Sequence, residues 1–131
     1  MSLTKAIQDV EQFHTEVLGM VLPVTPTLNN GDWLMGRFKH LVEEADEFID
    51  AAAIGDMVGV ADALADTIYV AIGTAVQCGI PLSAVWDAVH RCNMKRVKQR
   101  TERHERDAVK PEGWVGPETE IARILGIALE E

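Results

Sequence analysis

Only three residues, Ile54-Gly55-Asp56, separate two long stretches of helical periodicity. A link that short forces the two helices back to back as an antiparallel hairpin. The first stretch starts near Asp32, which suits an N-cap, and runs to about Ala53. Its apolar stripe is Leu34, Phe38, Leu41, Val42, Ala45, Phe48, Ile49 and Ala52. The second is capped by Asp56 and reaches Cys78, with Gly79 after it. Its stripe is Val58, Ala61, Leu64, Ala65, Ile68, Ile72, Ala75 and Val76.

Other elements flank this hairpin. Residues 3–18 read as a first helix, with Ile7, Val10, Phe13 or His14, and Val17 at helical spacing and Gly19 as its stop. Residues 20–32 are a connection broken by Pro23, Pro26, Asn29, Asn30 and Gly31. Pro81 opens a fourth helix carrying Leu82, Val85, Trp86, Val89 and Cys92. Residues 95–110, dense in Lys, Arg, Glu and His, read as a solvated helix extension or a mobile arm. Residues 110–117 form a turn-rich loop, and 118–130 a short last helix. No strand-like alternation, internal repeat or linker is visible. The reading is a single all-α domain over residues 1–131, a bundle of four to five helices around the hairpin.

Charge narrows the function classes. Asp and Glu number 21 against 12 Lys and Arg, a net charge of −9. That argues against a nucleic-acid binder, which presents a basic face, though metal ions could still bridge such a surface to a polyanion. The longest apolar segment, residues 57–80, is interrupted by Asp62 and Asp66 and is not expected to cross a membrane. Cys78 and Cys92 form no CxxC pair and read as free thiols of a reducing cytoplasm. No signal peptide is visible near Lys5, Asp9 and Glu11, and the expected location is cytoplasmic.

The acids are the candidate chemistry. In HLVEEADEF, residues 40–48, Glu43 and Glu47 stand at i,i+4, and Glu44 and Glu47 at i,i+3. Asp62 and Asp66 form another i,i+4 pair within an otherwise apolar helix. Like charges at these spacings repel, so helix energetics do not account for them. A desolvated carboxylate costs several kcal/mol unless it is paired. A hard divalent cation such as magnesium, which prefers carboxylate and water oxygens, is the simplest compensator. Read separately, the glutamates fit a solvated face and the aspartates fit salt bridges to Arg or Lys. Both clusters on adjacent antiparallel helices are harder to explain that way.

With these residues the chain resembles the all-α nucleoside triphosphate pyrophosphohydrolases, the MazG-like group, which share architecture with dimeric dUTPases and phosphoribosyl-ATP pyrophosphohydrolase. Glu43-Glu44-Ala-Asp-Glu47 matches the EExxE run, and Asp62-Ala-Leu-Ala-Asp66 looks like the second acidic pair. The segments DALADTIYVAIGTAVQCGIP (62–81), HRCNMKRV (90–97) and KPEGWVGP (110–117) are similar to the phage and bacterial subgroup. The usual second motif is ExxD, which would put a glutamate at position 63, where this chain has Ala63.

The resemblance implies hydrolysis of an NTP or dNTP to a nucleoside monophosphate and pyrophosphate, with Mg²⁺ as cofactor and Mn²⁺ as a substitute. It implies Glu44, Glu47, Asp62 and Asp66 as metal ligands. Glu43, Glu44 and Glu47 would be the catalytic carboxylates, with Glu43 on a second ion or the attacking water. It implies substrate contacts at Arg91, Asn93, Lys95, Lys98, Lys110 and Trp114, and a homodimer or homotetramer. Trp33, Phe38 and Tyr69 are further aromatic candidates for stacking on the base. Trp86 reads as core or subunit interface, and His14 and His40 as packing or surface residues. Two other classes remain. Ala63 keeps open a non-catalytic helical interaction module. A di-iron carboxylate bundle would need two Glu-x-x-His motifs, and only Glu11-Gln-Phe-His14 is clean, with Asp87-Ala-Val-His90 as a weak imitation.

Overall fold

The computed structural model describes residues 2–28 and 31–129. Asn29 and Asn30 of the expected connection, and Glu130 of the expected last helix, lie outside the described residues. The chain is mostly helical, as expected, and forms two compact units, residues 1–82 and 83–131.

The first unit holds α1 (Leu3–Gln12), a π-helical turn (Phe13–Val17), α2 (Gly31–Ala53) and α3 (Met57–Gln77). Ser2 caps α1, its hydroxyl accepting from the Lys5 amide. Asp56 caps α3, its carboxylate accepting from the Gly59 amide at 3.0 Å. Asp32, expected as the cap of α2, instead lies inside that helix's first turn, because the helix begins one residue earlier at Gly31.

Helices α2 and α3 pack together most extensively, as the short link requires. The apolar stripe expected on α2 divides in two. Leu34, Arg37, Leu41, Glu44, Phe48 and Ala51 are buried or half-buried, at the three- and four-residue steps of a packed seam. Phe38, Val42, Ala45, Ile49 and Ala52 form a second seam with the same steps, and it is exposed. On α3, Ala63, Asp66, Val70, Gly73 and Gln77 follow the matching inward register, while Val58, Leu64 and Ile68 face outward. At 21 residues α3 is also long and apolar enough, by length and composition alone, to cross a bilayer, which the sequence pattern of residues 57–80 did not suggest. It packs against α1 and α2 with Asp66 on its inward face.

Polar residues are seated in the inward seam. Arg37 donates from Nε to the Thr74 hydroxyl at 3.0 Å and from Nη2 to the Val70 carbonyl at 2.9 Å. Gly73 makes this approach possible, since a Cβ there would stand 3.0 Å from the guanidinium and 3.1 Å from the His14 ring. The π-turn admits one extra residue and so rotates the side chains beyond it around the helix axis. His14, four residues on from buried Val10, is 3% exposed, while Phe13 stays at the surface and packs edge-on to Tyr69. The core below is Val10, Ile72 and Val76, packed by Leu3, Ala6, Ile7, Leu22 and Leu82. After α3 the chain turns at Gly79 in the left-handed region, φ 65°, with the Thr25 carbonyl 2.6 Å from where a Cβ would stand.

The second unit holds α4 (Leu82–Asn93), β1 (Val97–Gln99), β2 (Asp107–Val109) and α5 (Glu118–Leu125). The strands pair antiparallel, Val97 opposite Val109 and Gln99 opposite Asp107. This corrects the expected helical extension. Three-residue strands are too short for a period-2 pattern to register, and the charges, solvated as expected, also close the turn. Arg103 and the Thr101 hydroxyl both donate to the Asp107 carboxylate. The Arg103 hydrogen bond, then the Thr101 one, hold the Asp107 carboxyl down to about 2. Helix α5 stops at Leu125, short of the expected 130, as the Ile127 amide folds back onto the Ala122 carbonyl.

Candidate metal and catalytic site

The inward seam brings Glu44 of α2 opposite Asp66 of α3, and Glu47 joins them one turn along α2. One carboxylate oxygen from each lies within 4.8 Å of the other two. Glu44 and Asp66 are half-buried and Glu47 is exposed. Glu44 Oε1 is 3.5 Å from His40 Nε2, one turn back on the same face. Glu44 Oε2 is buried and has no hydrogen-bond partner. Burial first, then the Glu47 charge and a side-chain hydrogen bond with Glu47, then the Asp66 charge, push the Glu44 carboxyl above its ordinary range, against a smaller opposing pull from His40.

An orphaned buried carboxylate oxygen is costly. One imidazole cannot compensate three converging carboxylates. Hard oxygen donors, one of them desolvated and unpartnered, fit a divalent cation such as Mg²⁺ or Mn²⁺.

Two expected ligands stand outside this trio. Glu43 is exposed, one position round the helix from Glu44. Asp62 is exposed, a full turn nearer the hairpin loop than Asp66, and its short side chain does not join the group. Ala63, at the position where the resemblance has a glutamate, is 2% exposed, so the inward face of α3 carries a methyl one turn before Asp66.

Sequence reasoning passed over Arg37 here and read His40 as a packing or surface residue, which its exposure bears out. Arg37 and His40 lie seven and four residues before Glu44, so the same periodicity that exposed the acids places them on the Glu44 side of α2.

In the second unit, Arg91 is ion-paired with Glu120. Asn93 ends α4 and is exposed, as are Lys95 and, on β1, Lys98. Trp114 is half-buried and donates its indole N–H to the Cys92 carbonyl at 2.8 Å. The Arg96 guanidinium lies 4.8 Å from the Trp114 ring centroid and the Lys110 ammonium 5.2 Å. Arg96, which no sequence signal singled out, has a buried Nε with no hydrogen-bond partner. Trp86, expected in a core or interface, is 56% exposed in the single chain.

A family model described as phosphoribosyl-ATP pyrophosphohydrolase matches residues 10–93. No curated protein matches the chain.

Proposed function

Given that the chain belongs to the phosphoribosyl-ATP pyrophosphohydrolase family, and so acts as a pyrophosphohydrolase on a nucleotide, we propose that its substrate is a nucleoside triphosphate, cut between the α- and β-phosphates. The observation that carries this reading is the convergence of Glu44, Glu47 and Asp66 around an unpartnered carboxylate oxygen. These three would hold the cation, Mg²⁺ by preference. A divalent cation bound there screens the phosphate charge and acidifies nearby water.

The chain's own part is to position and to take protons. Glu43, outside the converging three, is assigned to orient the attacking water and accept its proton. Water oxygen bonds to the α-phosphorus as the bridging P–O bond breaks, and pyrophosphate leaves with the electron pair. Arg37, fixed to Val70 and Thr74, keeps α2 and α3 in the register that holds the carboxylates together. The exposed seams of α2 and α3 would pair with those of a second copy.

A pyrophosphate assay over canonical and modified NTPs and dNTPs, with phosphoribosyl-ATP alongside, tests this. Glu47→Gln and Asp66→Asn should each lower the rate on the order of 100-fold, the size typical of losing a group that stabilises developing charge. EDTA should abolish turnover and Mg²⁺ restore it. Orthophosphate as first product, or unchanged variants, would refute the assignment. Turnover of phosphoribosyl-ATP alone would make that nucleotide the substrate. The second reading, an interaction module that keeps the fold, is favoured by buried Ala63 and expects no pyrophosphate from any nucleotide.

A further inference from the structure

The first unit contains a cavity that the carboxylate site does not use. It measures about 460 Å³ and is lined by Met20, Val21, Leu22, Pro23, Thr27, Trp33 and Gln77. Pockets of 300–1,000 Å³ are the usual size for small-molecule sites, with mostly apolar walls and a few fixed polar groups. This one has that make-up. Among the described residues its lining has no charged side chain, which suits an uncharged ligand better than phosphate or a metal ion. The aliphatic side chains and the Trp33 indole suit a flat, uncharged ring.

Its polar group is held in a defined orientation. Gln77 is 7% exposed and, with His14, supplies the buried polar side chains of the described residues. His14 Nδ1 lies 2.8 Å from the Val10 carbonyl, which can only accept, so the proton sits on Nδ1. Nε2 is then an acceptor, and it takes a hydrogen from Gln77 Nε2 at 2.8 Å. That fixes which end of the amide is nitrogen. It leaves the second Nε2 hydrogen and Oε1, for which no hydrogen bond is found among the described residues. His14, one helical turn on from buried Val10, thus orients one amide at the cavity wall.

Distance separates the cavity from the carboxylates. Trp33 precedes Glu44 by eleven residues on α2, and Gln77 follows Asp66 by eleven on α3. At a rise of about 1.5 Å per residue, both helices put roughly 16 Å between the two places. The carboxylate trio therefore stands about three turns away along both helices.

We propose that this cavity is a second binding site, for an uncharged nucleobase or nucleoside whose edge carries an adjacent donor and acceptor, read by the Gln77 amide. Adenine offers such an edge, which a glutamine amide can meet with two hydrogen bonds. The site does not depend on the hydrolase reading, because it holds no residue of the carboxylate cluster.

The test uses the full chain in EDTA, titrated with adenosine and with N6,N6-dimethyladenosine, which lacks the donor. Binding is read from the Gln77 side-chain amide and the Trp33 indole N–H by two-dimensional NMR. Adenosine should saturate and shift both signals, and the dimethyl analogue should bind at least tenfold more weakly. Gln77→Met should weaken adenosine tenfold or more, and Glu47→Gln should leave it unchanged. Adenosine at saturation should leave the KM of the nucleotide substrate unaltered. The proposal is overturned if adenosine does not saturate, if the dimethyl analogue binds equally well, or if adenosine competes with substrate. The nucleoside comparison stands on the wild-type chain even where Gln77→Met misfolds. Pyrophosphate release is a separate readout, so failure of one reading leaves the other standing.

Discussion

Glu44 is the residue at which stability and function pull in opposite directions. Its carboxyl is pushed up by burial and by Glu47 and Asp66, so folding favours the neutral form more than the unfolded chain does. The stability gained from that protonation is complete below the unfolded carboxyl's ordinary pKa and disappears as pH rises through the raised folded value. Without metal, Glu44→Gln should therefore match wild type in acid and exceed it in melting temperature at neutral pH. Saturating Mg²⁺ should reverse the order. Melting curves in EDTA and in Mg²⁺ across that range check both signs. Glu44, Glu47 and Asp66 were legible in the sequence because like charges at helical spacing in apolar helices ask for a counter-charge. The part of Arg37 was not, because a lone arginine on a stripe reads as solvated. The Gln77 amide was hidden too, since its orientation depends on a partner 63 residues away.

Among the elements, α3 is the one whose start is most sharply specified. The Asp56 carboxylate satisfies the Gly59 amide, and no acidic side chain in the first turn can substitute for it. Asp56→Ala should cost about 1 kcal/mol, the usual value for an N-cap, read from urea unfolding. Serine at the same position should recover most of it. The hairpin of α2 and α3 was readable because three linking residues permit one arrangement. The π-turn was not: one inserted residue leaves no mark on a 3.6-residue pattern except the ambiguity between Phe13 and His14. The β1–β2 hairpin was missed because its three-residue strands do not complete two repeats of the period-2 pattern that identifies them.

For the molecule, the unsatisfied surface is the outward side of α2 and α3. Phe38, Ile49 and Ile68 are each more than half exposed, in line with Val42, Ala45 and Leu64. Two apolar seams at knobs-into-holes spacing match a like pair from another copy. Light scattering at micromolar concentration should find a dimer or tetramer, and Ile68→Glu should shift it to monomer with a lower melting temperature. A wild-type monomer would remove this part of the proposal. Oligomerisation was expected from the sequence through resemblance. The structure adds which side chains are left exposed once the inward seam has used its share.

The carboxylate trio also bears on how the chain finds its shape. Glu44 and Asp66 are 22 residues apart, joined by a single short link. Contacts this local are expected to form early. Early pairing of α2 and α3 would drive the three carboxyl groups together, with His40 beside Glu44 to soften the collision. The barrier should carry that repulsion, so refolding after a denaturant jump should quicken in millimolar Mg²⁺ and, more weakly, in added NaCl. Glu44→Gln should refold fast in either case, which would make a bound metal an early participant in the search for the native state as well as a guest of the finished one.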